Sequence, residues 1–149
     1  DLPGLDQPAL ALSPAPGKTI SEGLLKLEDI LKLSLDADLV VLSACNTAAA
    51  DGTGAEAVSG LGRGFFYAGA RSVLATHWPV ETVSARELVT HLFERYAKDP
   101  QLTRAQALRR AMLNLIDTDV ATDSRGRAVM AYAHPAFWAP YALYGDPGR

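Results

Sequence analysis

The amino-acid sequence predicts an α/β fold in which helices cover the faces of a mostly parallel β-sheet. Two apolar runs, DLVVLS (38–43) and ARSVLATHW (70–78), are continuous rather than alternating, which is typical of strands covered on both faces. Each run is followed by a segment whose apolar residues recur at helical spacing. The predicted order of strand, helix, strand, helix, helix and strand favours right-handed crossovers between parallel strands.

The segment before the first buried run predicts a short strand and a helix. Residues 1–8 are expected to be irregular, and 9–13 form a candidate short strand. The following stretch is rich in Pro, Gly and Ser and predicts a loop. In LLKLEDILKLSL (24–35), apolar residues at three- and four-residue spacing predict a helix of two to three turns.

A helix is predicted between the two buried runs, from about Ala55 to Tyr67, with Gly69 at its C-terminal cap. Three glycines weaken its interior, so close packing of this helix onto the sheet is the expected reason for them: Gly60, Gly62 and Gly64.

Two further helices are predicted after the second buried run, which ends near Thr76. The first is expected to begin after Pro79, and the second has Thr103 as its predicted N-cap. The polar segment that follows, about 118–132, contains Gly126 and predicts a flexible loop.

The last segment, FWAPYALYGD (137–146), predicts a short strand. Because proline cannot donate to a strand ladder, Pro140 indicates that this strand either lies at the sheet edge or begins after Pro140. Tyr141 is expected to lie in the core or to line a pocket. His134 is expected to fix the turn before this strand, and His91, in the middle of a helix, is expected at the surface.

Length and composition bound the class of protein. The chain has 149 residues, so 1–149 is predicted to be a single domain, and its 48% hydrophobic residues are enough to fill a core. The formal net charge of -3 and the scattered basic residues argue against a nucleic-acid partner. No apolar run approaches the roughly 18 residues of a membrane span, and the N-terminus lacks a signal-peptide pattern, so no membrane partner is expected.

The single cysteine, Cys45, rules out an internal disulfide and fits a reducing, cytoplasmic setting. One cysteine and three widely separated histidines offer no ligand spacing of the zinc type, so no metal is expected. The GTG at 52–54 is too short for a phosphate-binding loop, and no other cofactor motif occurs.

Cys45 and His77 each follow a buried run, at the carboxyl ends of the predicted strands, where the active sites of open α/β sheets gather. If the two strands are neighbours, both side chains project from the same edge of the sheet. A thiol becomes a nucleophile only with a base or a positive group within reach. Free cysteines are more often buried and inert, so position alone leaves both interpretations of Cys45 open.

Three stretches in the same order resemble the CHAT domain family: LVVLSACNTA (39–48), GAEAVSGLGRGFFYAGARSVLATHWPV (54–80) and AHPAFWAPYALYGD (133–146). CHAT domains are caspase-related modules often found beside tetratricopeptide repeats. The resemblance runs from about Leu5 to Asp146 and implies a caspase-like three-layer α/β/α sandwich. It also implies a cysteine endopeptidase activity for the peptidase-competent members.

By this resemblance, Cys45 matches the nucleophile of the active members, and its backbone N–H would help to bind the oxyanion. Ser43 matches a position that lines the pocket for the residue before the cut. Glu81 is a candidate to select a basic substrate side chain, because relatives often carry acidic residues there; the alternative is a first-turn helix acid favoured by the dipole. His77 is a candidate base or pocket residue, and the alternative is a partly buried histidine bonded to a loop.

The sequence departs from the family pattern at the general base. Active relatives carry a His-Gly pair at the end of the strand before the cysteine strand, and no His-Gly pair occurs in this chain. The early strands of the family's sheet are missing as well. We therefore expect the chain to be the C-terminal part of a CHAT domain, with the histidine upstream and no activity in isolation.

Two functions from different classes follow. The first is a caspase-like cysteine endopeptidase that acts on a protein or peptide substrate through Cys45. The second is a non-catalytic interaction or scaffold module with the same fold. A redox role for Cys45 is disfavoured because a resolving cysteine is absent.

The expected partners follow from the incomplete sheet and from the family. They are an upstream fragment or the tetratricopeptide-repeat region of the parent protein. The strand DLVVLS would lose the neighbour that covers one of its edges, so self-association of the isolated chain is also predicted.

Overall fold

A computed structural model describes residues 8–43, 60–117, 120–122 and 125–148 of the chain. In these ranges the chain forms an α/β fold. The strands are β1 (Ala9–Ala11), β2 (Leu24–Lys26), β3 (Val40–Leu42), β4 (Ser72–Thr76), β5 (Val120–Thr122), β6 (Ala128–Ala131) and β7 (Tyr141–Gly145). The α-helices are α1 (Leu27–Ile30), α2 (Gly60–Tyr67), α3 (Thr82–Lys98), α4 (Arg104–Asp117) and α5 (Pro135–Trp138), and a 3₁₀ turn spans Ile20–Gly23.

The central sheet of the described residues has three strands in the order β3-β4-β7. The parallel pairing of β3 with β4 confirms that the two buried runs are neighbouring strands. The last strand lies at the sheet edge, as Pro140 predicts, but it runs antiparallel to β4, so the sheet in these ranges is mixed. Within the described residues, the number of helices explains the strand directions. The single helix α2 returns the chain from the carboxyl end of β3 to the opposite end of the sheet, so β4 is parallel to β3. The pair α3 and α4 leads the chain away and back, so β7 begins near the carboxyl end of β4.

The residues of β4 alternate between two hydrophobic clusters, one on each face of the sheet. The α2-side cluster contains Ile30, Leu42, Leu61, Phe65, Ala68, Ala70, Val73 and Ala75. The α3-side cluster contains Leu74, Leu88, Leu92, Leu102, Ala107, Leu108, Ala111, Leu115, Tyr132 and Tyr141. All five residues of β4 are buried, which explains why its sequence reads as a continuous apolar run.

Two predictions about the segment before β3 have different outcomes. The candidate strand at 9–13 is confirmed as β1. The helix predicted over 24–35 is wrong in extent, because Leu24–Lys26 pair antiparallel with β1 as strand β2. Only Leu27–Ile30 are helical. The apolar residues at helical spacing are therefore divided between strand β2 and a single helical turn.

Helix α2 ends as the sequence predicts. The N–H of Gly69 donates to the carbonyl of Phe66 at 3.0 Å, and the N–H of Ala70 donates to that of Phe65 at 2.9 Å, which is the Schellman pattern. Gly69 has φ +107°, a conformation that favours glycine. The prediction that the internal glycines pack on the sheet is wrong for Gly64, where an added Cβ would lie 2.6 Å from Leu27 of α1.

Two further differences concern the second half of the chain. The loop predicted at about 118–132 contains the antiparallel strands β5 and β6, because short runs of strand-forming residues flank Gly126. His91, predicted at the surface, is partly buried between α3 and α4, where its Nε2 lies 3.0 Å from the Asn114 amide nitrogen. Among the helices of the described ranges, none is long and apolar enough to cross a membrane.

Candidate active site

The carboxyl ends of β3 and β4 lie side by side at one edge of the sheet. Leu42, the last residue of β3, pairs with Ala75, so Ser43 and His77 both emerge just beyond this edge. Tyr141 begins β7 at the same edge, where it pairs with Thr76. Ser43 and His77 are both exposed. The sequence predicted a common edge for Cys45 and His77 if the two strands are neighbours, and the strands are neighbours.

Cys45, the predicted nucleophile, lies outside the described residues, in the segment 44–59. The structure shows the edge at which the chain leaves the sheet after Ser43. Cys45 comes two positions later in the sequence. The role of Cys45 stays a prediction.

His77 lies on the α2 side of the sheet. Its Nε2 and the hydroxyl of Tyr144 share a hydrogen bond of 2.8 Å, and the two rings meet edge to face with centroids 6.3 Å apart. Tyr144 pairs with Val73, whose side chain belongs to the α2-side cluster. The partner of His77 is therefore a strand residue of the same sheet, rather than the loop that the alternative interpretation expected.

Ser43 belongs by strand alternation to the opposite side of the sheet. Val41, two residues earlier, packs against the α3-side cluster, and successive strand residues point to opposite faces. Tyr141 also packs in the α3-side cluster. The sheet thus separates His77 from Ser43 and Tyr141, although all three leave or begin strands at one edge.

Glu81 is the N-cap of α3 rather than a residue of its first turn. Its carboxylate accepts hydrogen bonds from the backbone N–H of Val83 at 2.9 Å and of Ser84 at 2.8 Å. Partial burial raises the pKa of Glu81, but the hydrogen bonds from Ser84 and Val83, with one from the Tyr132 hydroxyl, outweigh burial and hold this pKa below its usual value. The carboxylate is thus ionised and engaged in starting the helix.

Tyr132 and Tyr141 lie beside Glu81; the sequence predicted a core or pocket position for Tyr141, and it did not single out Tyr132. Both are buried next to Glu81, with exposed fractions of 3% and 5%. Tyr132 hydrogen-bonds the Glu81 carboxylate, while the hydroxyl of Tyr141 has no hydrogen-bond partner among the described residues. The sequence signal that could have indicated this position is a tyrosine directly after Pro140, at the start of the last strand. There the chain returns to the sheet edge at which Ser43 leaves.

The described ranges bring together no set of side chains that could bind a metal ion. They contain no group of three or more His, Cys, Asp or Glu side chains that could hold an ion. The described edge presents four groups that can form hydrogen bonds: the hydroxyl of Ser43, the imidazole of His77, the carboxylate of Glu81 and the phenol of Tyr141.

Comparison with known proteins decides the family. The family model of the CHAT domain matches residues 2–146. The chain belongs to the CHAT domain family. CHAT domains are related to the caspase-like peptidases, which agrees with the resemblance carried by the cysteine-strand and last-strand motifs.

One curated relative of this CHAT domain is Tetratricopeptide repeat protein 28 of Homo sapiens. The two are 34% identical over 130 residues, which is 85% of this chain and 5% of that protein. The chain thus spans only a small part of the relative's length. No solved structure matches the chain.

Proposed function

We propose that this CHAT domain is the nucleophile-bearing part of a caspase-like cysteine endopeptidase. The supporting observation is the parallel pairing of β3 and β4, which brings Ser43 and His77 to one carboxyl edge of the sheet. Cys45 follows Ser43 by two residues in the sequence. We also propose that 1–149 form a single domain with the caspase-like three-layer arrangement, completed by upstream strands.

In the proposed reaction, the Cys45 thiolate attacks the scissile carbonyl carbon of a peptide. A histidine upstream of this chain takes the thiol proton and later gives it to the leaving amine. The backbone N–H of Cys45 contributes to the oxyanion site of the tetrahedral intermediate. Water then attacks the thioester, releases the carboxylate product and restores the thiol.

Ser43, His77 and Glu81 are the proposed substrate-binding residues. Ser43 is exposed at the sheet edge and is the best placed of the three to line a pocket. His77 and Glu81 already have partners in the folded chain, respectively the Tyr144 hydroxyl and the N-terminus of α3. Their proposed contribution is the shape and negative charge of the site rather than proton transfer.

A second candidate function, a non-catalytic interaction module, is favoured by a specific observation. The imidazole of His77 lies at the described edge, and its Nε2 is engaged by Tyr144. If the protein that contains this chain has no upstream His-Gly pair, a base for Cys45 is missing and the interaction module is the better proposal.

The setting of the domain follows from its relative. That relative is named for tetratricopeptide repeats, so we propose that repeats in the parent protein, or an upstream fragment, pack beside this domain. Self-association of the isolated chain through an uncovered strand edge belongs to the same proposal. A cytoplasmic location fits a lone thiol.

The test is covalent labelling of the full-length protein with a peptide chloromethyl ketone, read by mass spectrometry of tryptic peptides. We expect the label on Cys45, its loss in Cys45→Ala, and its persistence in His77→Gln, because the base is proposed to lie upstream. A folded protein that takes no label on Cys45 contradicts the peptidase and leaves the interaction module. Loss of label in His77→Gln, with the fold intact, contradicts the upstream base.

A further inference from the structure

Two buried tyrosines beside Glu81 differ in a way that the fold alone does not explain. Tyr132 and Tyr141 have exposed fractions of 3% and 5%, and both belong to the α3-side cluster. The Tyr132 hydroxyl bonds the Glu81 carboxylate. The Tyr141 hydroxyl interacts electrostatically with the same carboxylate. Within the described part of the chain, however, it has no hydrogen-bond partner.

Leaving a buried hydroxyl without a partner is unfavourable. Such a group loses its hydrogen bonds to water and gains none in the protein, and buried polar atoms in folded proteins are nearly always bonded. A phenylalanine would fill almost the same volume without this cost. The hydroxyl of Tyr141 therefore gains no hydrogen bond from the described residues and is available to a group from outside them.

The position of Tyr141 indicates what that contact is. Tyr141 pairs with Thr76, the last residue of β4, and Ser43 leaves the neighbouring strand at the same edge and on the same side of the sheet. Tyr141, which carries the unpartnered hydroxyl, thus begins its strand at the sheet edge where the proposed reaction takes place.

The charge around Tyr141 restricts the group that it can receive. Burial, together with the negative charge of Glu81, raises the pKa of Tyr141 to about 12, so the phenol stays neutral at physiological pH. An acidic group would be repelled by the Glu81 carboxylate at this place. A group with N–H donors is favoured, because the phenol oxygen and the carboxylate are both acceptors.

We propose that Tyr141 is a specificity-determining residue of this site, and that its hydroxyl accepts a hydrogen bond from a donor-bearing side chain of a bound peptide, a carboxamide or a cation. The proposal rests on the proposed function for the substrate class. The hydroxyl is closed to solvent in the free chain, so a bound side chain must displace part of its cover.

The experiment measures peptide binding by the full-length protein carrying Cys45→Ala, so that turnover does not interfere. Fluorescent peptides differ in one side chain, which is Gln, Lys, Met or Glu, and each position is varied in turn. We expect one position at which Gln or Lys binds more tightly than Met, and Glu binds most weakly. The Gln and Lys arms distinguish a carboxamide from a cation.

Tyr141→Phe removes only the hydroxyl. It is expected to weaken binding of the preferred Gln or Lys peptide by about tenfold, the usual effect of one buried hydrogen bond, and to leave the Met peptide unchanged. Tyr132→Phe is the matched control. Its hydroxyl is already bonded inside the protein, so it is expected to lower the thermal midpoint without changing the Gln-to-Met preference, whereas Tyr141→Phe keeps or raises that midpoint.

Three results overturn the proposal: no peptide binding, equal weakening of the Gln, Lys and Met peptides in Tyr141→Phe, or a loss of stability in Tyr141→Phe as large as in Tyr132→Phe. The labelling of Cys45 separates this failure from that of the proposed function. A selectivity that depends on Tyr141 without labelling of Cys45 supports a peptide-binding module. Labelling of Cys45 together with unchanged selectivity in Tyr141→Phe contradicts the role of Tyr141 and leaves the proposed peptidase function standing.

Discussion

The hydroxyl of Tyr144, near the end of β7, and Nε2 of His77, just after β4, share a hydrogen bond of 2.8 Å, although Tyr144 pairs with Val73 near the start of β4. The pair lies on the α2 side, away from Glu81 and Tyr141 on the α3 side. Burial raises the pKa of Tyr144, so its phenol remains protonated at neutral pH and available to this bond. The orientation of the His77 ring is therefore set by the last strand.

Tyr144→Phe is expected to release the His77 ring with little loss of stability. The bond joins groups at the exposed rim of the sheet, so the free energy of unfolding should fall by less than about 1 kcal/mol. The side-chain ¹⁵N resonances of His77 should move, while those of His134, whose Nδ1 accepts from the backbone N–H of Ala136 at 3.2 Å, should stay in place. Unchanged His77 resonances would show that the bond does not persist in solution.

Glu81→Gln is expected to lower the free energy of unfolding by about 1 kcal/mol at neutral pH, because the N-cap of α3 loses its charge and one of its two acceptor oxygens. The pKa of Glu81 is lowered in the folded chain, so its contribution is complete above the unfolded value of about 4.3 and is lost as the pH falls through the lower folded value.

Urea midpoints measured from pH 7 to pH 3 check the Glu81 prediction. The difference between the wild type and Glu81→Gln should shrink as the pH falls below about 4, where the wild-type carboxyl becomes protonated. Glu94→Gln is the control, since Glu94 is on the surface of α3 with only an ion pair of 3.6 Å to Lys98. A pH-independent difference would contradict the assigned role.

Gly69→Ala is expected to lower the free energy of unfolding by more than about 2 kcal/mol, because a left-handed conformation is unfavourable for alanine and a steric conflict adds to it. The added Cβ would overlap the carbonyl oxygen of Leu35, and the position has φ +107°. Gly17→Ala is the matched control. Gly17 has φ +83°, but nothing lies within 4 Å of its added Cβ, so chemical denaturation should show a clearly smaller loss.

Gly148→Ala is expected to destabilise the fold by displacing a buried arginine. The added Cβ would overlap the guanidinium of Arg104, which is 3% exposed and lies 3.8 Å from Asp146 and 3.9 Å from Asp38. The expected loss is about 1–3 kcal/mol, from the left-handed backbone and the lost ion pairs.

A double-mutant cycle with Arg104→Met checks this explanation. If the conflict with the guanidinium is the cause, Gly148→Ala should cost at least about 1 kcal/mol less in the Arg104→Met background, because neighbours that share a contact are not additive. Additive losses would mean that backbone strain alone accounts for the effect of Gly148→Ala.

Patterns confined to a few neighbouring residues were predicted correctly. The cap at Gly69 needs only a local left-handed turn, and the strand before Ser43 needs only continuous apolar residues, although Val40 and Val41 are half-buried in the described sheet. The helix over 24–35 was wrong because the pairing of β2 with β1 depends on a segment some fifteen residues earlier in the chain. His91 was misplaced for a similar reason, since its partner Asn114 comes from another helix.

For the candidate site, the sequence by itself determined which residues follow the two apolar runs, and the parallel pairing of β3 with β4 then placed Ser43 and His77 at one edge of the sheet. Only the tertiary structure decided which face each side chain occupies, that Glu81 caps α3, and that Tyr141 brings a buried hydroxyl to the same edge. The physical reason is range. A strand or a cap is encoded by adjacent residues, whereas a hydrogen-bond partner is chosen by the packing of segments that are distant in the chain.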